Sequence, residues 1–143
     1  MRMLGLDIGD RRIGVAVSDP EGIMAGSLTT ILRRELDRDL AAIVDLVREE
    51  EVGLIVAGLP LSLDGSTGPQ AQKVLGFVEK LTEVSTVPVD TWDERLSTVE
   101  ADRVMSELGI RLDKRKARRD SLAAAIILQG YLDAACHKSR GDS

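Results

Sequence analysis

The spacing of apolar residues divides the chain into strands first and helices afterwards. Three short apolar runs bounded by turn residues predict strands at 3–8, 13–18 and about 24–30. Residues 10–12 suit a hairpin connection, and residues 19–22 form a second turn. We therefore expect the chain to open with a three-stranded antiparallel meander.

From residue 35 onward, helices alternate with strands. Apolar residues recur three or four positions apart, as in helices that bury one face. The helices predicted in this way cover residues 35–47, 70–83, 97–108 and 121–135. Residues 53–58 are apolar on both faces, as expected of a buried parallel strand. Residues 87–91 predict a fifth strand, and Pro88 suits a sheet edge because it lacks a backbone donor.

This order of elements predicts an α/β fold, a mixed sheet flanked by helices. The 143 residues fit a single domain, which we place at 1–137, followed by a flexible polar tail at 138–143. The longest apolar run is too short to cross a bilayer, and no targeting segment is recognisable. The single cysteine suits a reducing compartment. We therefore expect a cytoplasmic protein without membrane contact.

Charge is distributed unevenly along the chain. The net charge of −5 argues against a nucleic-acid partner, but residues 111–119 hold six cations and one anion. A local basic strip on an acidic body can bind a phosphate backbone, although a solvated loop is the alternative interpretation. The residues that we expect to contact phosphates are Lys114, Lys116, Arg118 and Arg119.

Asp7 is unusual because it lies within an otherwise apolar strand. An unpaired buried carboxylate would cost several kcal/mol, so Asp7 must be paired, bound to a cation or exposed at the strand end. The glycines around it leave room for a ligand. The alternative is a turn aspartate that bonds its own backbone before Gly9.

Two further acids could join Asp7. Glu94 directly follows the fifth predicted strand, and if that strand is parallel to the first, both acids lie at the same end of the sheet. An exposed ion pair with Arg95 is the alternative for that segment. Asp120 precedes the last predicted helix, where on its own it reads as an N-cap.

Four ordered motifs resemble those of the YqgF (RuvX) family over nearly the whole chain. They are LDIG at 6–9 with IGVA at 13–16, GLPL at 58–61 with DG at 64–65, DERLST at 93–98, and Asp120 before AAAIIL at 123–128. The resemblance implies a ribonuclease-H-like domain with strand order 3-2-1-4-5. It also implies a nuclease that processes the 5′ end of pre-16S ribosomal RNA or resolves Holliday junctions. By the family pattern, the catalytic, metal-binding acids are Asp7, Glu94 and Asp120. Arg95 and Thr98 belong to the same motif as Glu94; we expect Arg95 to contact the nucleic acid, and Thr98 has no definite role.

The chemistry of three converging carboxylates agrees with that resemblance. They repel one another unless a cation neutralises them, and oxygen ligands favour Mg²⁺ or Mn²⁺. Two such ions can activate a water and stabilise the leaving oxygen, with no histidine required. We expect products with a 5′-phosphate and a 3′-hydroxyl, from structured RNA or branched DNA. Symmetric cutting of a junction would favour a homodimer.

Other interpretations stay open at this point. The first hairpin also resembles that of phosphate-binding ATPases and sugar kinases, although those proteins need two such domains. A non-catalytic module in transcription or ribosome assembly is a further possibility. Trp92 could stack on a base or pack in the core, and the loop at 60–69 could cover a substrate or be an ordinary exposed loop.

Overall fold

The fold is a five-stranded mixed sheet with helices on both faces. The computed structural model describes the backbone of residues 1–96 and 116–141 and the side chains of residues 1–95 and 121–135. The predicted helix at 97–108 and residue Thr98 lie outside the described residues. No helix in the described part of the chain is long and apolar enough to span a membrane.

The sheet has the order β3-β2-β1-β4-β5, which confirms the order implied by the sequence motifs. The strands are β1 (Arg2–Ile8), β2 (Arg12–Ser18), β3 (Ala25–Leu32), β4 (Val52–Leu59) and β5 (Val89–Asp93). The first three form the predicted antiparallel meander, whereas β4 runs parallel to both β1 and β5. The strand β5 begins two residues later than predicted, and the Pro88 carbonyl just before it accepts a hydrogen bond from Ile55 N of β4.

Strand alternation sorts the side chains between two apolar layers. Helices α1 (Leu36–Glu49) and α2 (Pro69–Val84) cover one face, where they pack against Leu4, Leu6 and Ile8 of β1. Helix α3 (Lys116–Gly141) covers the other face. The residues of β1 that alternate with those leucines, Gly5 and Asp7, therefore face α3.

The start of the last helix differs from the prediction. Helix α3 already includes Lys116 and the three residues after it, so Asp120 lies in its second turn and is not an N-cap. The residues of α3 before Asp120 are lysine, alanine and arginine, which favour helix rather than loop. At its other end α3 continues through Gly141 and includes the first part of the predicted tail.

Gly5 lets α3 approach the centre of the sheet closely. A Cβ atom at this position would lie 2.7 Å from the Cβ of Leu128 and 3.0 Å from the Ala124 carbonyl oxygen. Both atoms belong to α3, and one of them is a backbone oxygen, so an added Cβ could be accommodated only if the helix moved away from the sheet. Glycine is therefore required at this position because there is no room for a side chain.

We expect Gly5→Ala to lower the free energy of unfolding by about 1–3 kcal/mol, because overpacked sites must shift their neighbours. Urea denaturation measures the effect. The matched control is Gly26→Ala on β3, where an added Cβ would meet no atom within 4 Å. Equal stability of the two variants would contradict this account of the contact between α3 and β1.

Candidate active site

The structure brings Asp7 and Glu94 together at one edge of the sheet. Because β1, β4 and β5 are parallel, their carboxyl ends meet there. Asp7 is the penultimate residue of β1, and Glu94 opens a single 3₁₀ turn directly after β5. The two strands are not adjacent, so the Glu94 side chain must reach across the end of β4.

Glycines on the neighbouring strands make room for this pair. Asp7 is paired with Gly14 of β2 in the sheet register, and Leu6 is paired with Ala57 of β4, one residue before Gly58. A Cβ on Gly58 would lie 2.8 Å from Glu94 Oε1 and 3.0 Å from its Cγ. The Glu94 side chain thus occupies the space that any larger residue at position 58 would fill.

The pair is electrostatically strained when no cation is bound. Burial, the charge of Asp7, a hydrogen bond with Asp7 and the charge of Asp93 together raise the pKa of Glu94 to about 7. A hydrogen bond between two carboxyl groups requires a proton, which the protonated group donates. A divalent cation would do the same work as that proton by neutralising the two negative charges.

Asp120 is the third predicted acid, and its side chain lies outside the described residues. Its backbone lies one helical turn before Ala124, whose carbonyl contacts Gly5 in the middle of β1. Helix α3 therefore enters the fold at the same edge as the carboxyl end of β1. No group of three metal-binding side chains occurs within residues 1–95 and 121–135.

The guanidinium of Arg95 is hydrogen-bonded to other groups of the protein. Its Nε donates to both carboxylate oxygens of Asp93 at 3.0 Å, and its Nη2 donates to Oδ2 at 2.6 Å. Its Nη1 donates to the carbonyl of Leu63 at 3.3 Å. These bonds raise the pKa of Arg95 and lower the pKa of Asp93. The predicted nucleic-acid contact of Arg95 therefore competes with a local ion pair.

The predicted phosphate contacts are described only in part. Lys114 lies outside the described residues. The backbones of Lys116, Arg118 and Arg119 belong to the first turn of α3, but their side chains are not among those described. Part of the basic strip is thus helical and directly adjoins Asp120.

Trp92 packs beside the site against α3. Its ring meets the ring of Tyr131 edge-on, with centroids 6.0 Å apart and planes at 82°. The Tyr131 hydroxyl donates to Asp90 Oδ2 at 2.9 Å, and burial together with this bond raises the pKa of Tyr131 to about 12. This arrangement gives Trp92 a packing role.

Sequence reasoning missed the side chain that secures the turn after Asp7. Arg33 donates through Nη1 to the Gly9 carbonyl at 3.0 Å and through Nε to Asp39 at 3.2 Å. Asp39 is 3% exposed, and its other oxygen accepts from the backbone of Arg34 at 3.1 Å. Asp39 lies three residues after one apolar position of α1 and four before another, at the border of the apolar face, and this spacing is the sequence signal that could have marked it as buried.

The chain was compared with known protein families and structures. A model of the family described as "RuvX: Holliday junction resolvase" matches residues 1–134. A protein of Thermoanaerobacter pseudethanolicus, named "Putative pre-16S rRNA nuclease", is 50% identical over 139 residues, which is 96% of this chain and all of the relative. A protein of the same name from Halothermothrix orenii is 49% identical over 133 residues, covering 93% of this chain and 95% of the relative.

Two solved structures share the fold at low sequence identity. RuvC of T. thermophilus in complex with Holliday junction substrate matches with a TM-score of 0.62 at 18% identity, covering 95% of this chain and 96% of RuvC. The fowlpox virus Holliday junction resolvase matches with a TM-score of 0.58 at 14% identity, covering 94% and 99%.

The sheet order and these structural neighbours define a ribonuclease-H-like α/β protein. The acidic pair at the carboxyl edge of its parallel strands is the candidate active site. By its family match and its close relatives, the chain belongs to the RuvX family.

Without divalent cations, we expect the stability of the protein to fall as the pH rises from about 4.5 to about 7. Folding raises the pKa of Glu94 from 4.5 to about 7, so across this interval the folded state holds a proton that the unfolded chain has lost. The stabilisation is complete below pH 4.5 and disappears above pH 7. Urea denaturation of the EDTA-treated protein at several pH values measures it.

The matched variant for this measurement is Glu94→Gln, which keeps the shape of the side chain and cannot titrate. The stability of this variant should not show the decrease that titration of Glu94 causes in the wild type between about pH 4.5 and 7. Superimposable profiles for the two proteins would contradict the assignment of the shared proton to this pair.

Proposed function

We propose that this protein is a metal-dependent nuclease of the cytoplasm that cuts structured RNA, processing the 5′ end of pre-16S ribosomal RNA. The observation that carries the proposal is the Asp7–Glu94 pair, held at the carboxyl edge of parallel strands and in need of a neutralising charge. The names of the two close bacterial relatives support the substrate.

Asp7, Glu94 and Asp120 are the residues that would hold the metal. All three donate carboxylate oxygens, which suits Mg²⁺ or Mn²⁺ rather than a softer ion. Two ions in such a site supply an activated water and a positive charge for the leaving oxygen of an in-line displacement. The chain itself contributes the positions of these residues: Asp7 lies on β1, Glu94 on the 3₁₀ turn after β5 and Asp120 on α3.

The basic strip would hold the substrate next to these acids. Lys114, Lys116, Arg118 and Arg119 precede Asp120 in the chain, so phosphate contacts and the reacting phosphate would be neighbours. Contacts of this kind fix the position of a backbone and carry no sequence information. Selection of the cutting site would then depend on the shape of the nucleic acid rather than on its bases.

A second candidate function is the resolution of Holliday junctions in DNA. The description of the family and the junction-bound structural neighbour favour it. It would require a homodimer to place two such sites on one junction. The two candidate functions share the acidic site and differ in substrate and in the number of chains.

The decisive experiment compares cleavage of a labelled pre-16S 5′ leader and a four-way DNA junction, with Mg²⁺ or Mn²⁺, by wild type and Asp7→Asn. We expect the substitution to lower the rate by about a hundredfold or more, since metal ligation contributes several kcal/mol to the transition state. Asp45→Asn on the exposed face of α1 is the control and should cut like the wild type.

The kind of substrate that is cut distinguishes the two candidate functions. Cleavage of the RNA leaving a 5′-phosphate supports ribosomal processing, and paired cuts in the junction by a dimer support resolution. Absence of cleavage by a folded wild type with either metal, or equal cleavage by Asp7→Asn, would overturn the proposed nuclease.

A further inference from the structure

The most exposed large apolar side chain of the described residues lies beside the candidate active site. Leu63 is 96% exposed and belongs to the loop between β4 and α2, at the edge of the sheet that holds Asp7 and Glu94. Single exposed leucines are common on protein surfaces. Leu63 differs from those because the loop that carries it is fixed at several points.

The loop is first closed upon itself. Ser62 N donates to the Ser66 carbonyl at 3.0 Å, and Gly65 N donates to the Ser62 carbonyl at 2.8 Å. Ser66 N donates to Asp64 Oδ1 at 2.9 Å. Gly65 has φ of +85°, a conformation that glycine adopts without a steric cost. These bonds form a compact turn with Leu63 at its outer side.

Arg95 then ties this turn to the end of β5. Its guanidinium donates to the Leu63 carbonyl, and a Cβ on Gly65 would lie 3.5 Å from its Nη1. The carboxylate of Asp93 holds the guanidinium in this orientation with three bonds of 2.6 to 3.0 Å. Arg95 directly follows Glu94 in the chain, so the loop is anchored one residue away from the acidic pair.

We propose that Arg95 is a positioning residue that fixes the loop, and that Leu63 contacts an unstacked nucleobase of the substrate next to the scissile phosphate. This inference rests on the proposed nuclease function. The planar faces of bases are apolar, and proteins insert apolar side chains such as leucine between bases at the cost of unstacking them. That cost is smallest where the bases are already unstacked. Branch points and loops of structured nucleic acid offer such faces, whereas a continuous duplex does not. Leu63 would thus contribute to the preference for structured substrates.

The test measures kcat and KM for Leu63→Ser, Arg95→Gln and the double variant, on a branched substrate and on a plain duplex of the same length. On the branched substrate, loss of one apolar contact of this size should raise KM about tenfold in all three variants, with kcat nearly unchanged in Leu63→Ser. The plain duplex should be affected little. The double variant should resemble either single variant, because both changes remove the same contact.

Three matched controls accompany these variants. Leu63→Met keeps an apolar side chain and should restore the wild-type KM. Met24→Ser removes a side chain that is 68% exposed near the opposite edge of the sheet, and it should have no effect. Arg38→Gln removes a charge whose partner Glu35 is 3.9 Å away on the surface of α1, and it should also be neutral.

The salt dependence of binding distinguishes positioning from direct phosphate contact. If Arg95 bound a phosphate, Arg95→Gln would reduce the slope of log K against log salt by about 0.7 to 0.9 and would act additively with Leu63→Ser. That result, or wild-type kinetics for Leu63→Ser on the branched substrate, would overturn the inference. In both cases the wild type still cuts, so failure here is distinct from failure of the proposed nuclease.

Discussion

The central constraint of this structure is the approach of two carboxyl groups at the ends of parallel strands. Asp7 and Glu94 share one side of the sheet, and their charges are incompatible unless something positive lies between them. A proton meets that need near neutral pH, and a divalent cation meets it better because it brings two charges. The rest of the site can be understood as the means of holding this pair in place.

The glycines of the sheet and the packing of α3 follow from the same constraint. Gly58 leaves space for the Glu94 side chain, and Gly5 allows α3 to lie close against β1. On the opposite face, leucine, isoleucine and valine fill the core beneath α1 and α2. The sheet is therefore asymmetric near the acidic pair, with large apolar residues on the side of α1 and α2 and glycines at positions 5 and 58 on the side of α3.

Much of this arrangement could be predicted from the sequence. The meander and the two parallel strands follow from apolar spacing, and the meeting of Asp7 with Glu94 follows once β1 and β5 are parallel. The predicted start of α3 was wrong. An aspartate can cap a helix or lie in its second turn, and local preference does not distinguish these two positions when helix-forming residues precede it. The ion pair of Arg95 with Asp93 was the stated alternative for its segment. The contacts of Arg95 with Leu63 and of Arg33 with Gly9 could not be predicted, because they are made to backbone carbonyls, which every residue possesses.

If the basic residues of α3 bind the backbone of a DNA junction, the position of Asp120 inside this helix would set the spacing between the bound backbone and the acid. Lys116 and Asp120 lie on the same face, about 6 Å apart along the axis at a rise of 1.5 Å per residue. Successive phosphates of one DNA strand advance by about 3.4 Å along the duplex, so the interval corresponds to roughly two nucleotide steps. A nucleic-acid backbone bound by the first turn of α3 would then reach the acids in a register set by this one helix. The binding residues and Asp120 would be joined by continuous helix.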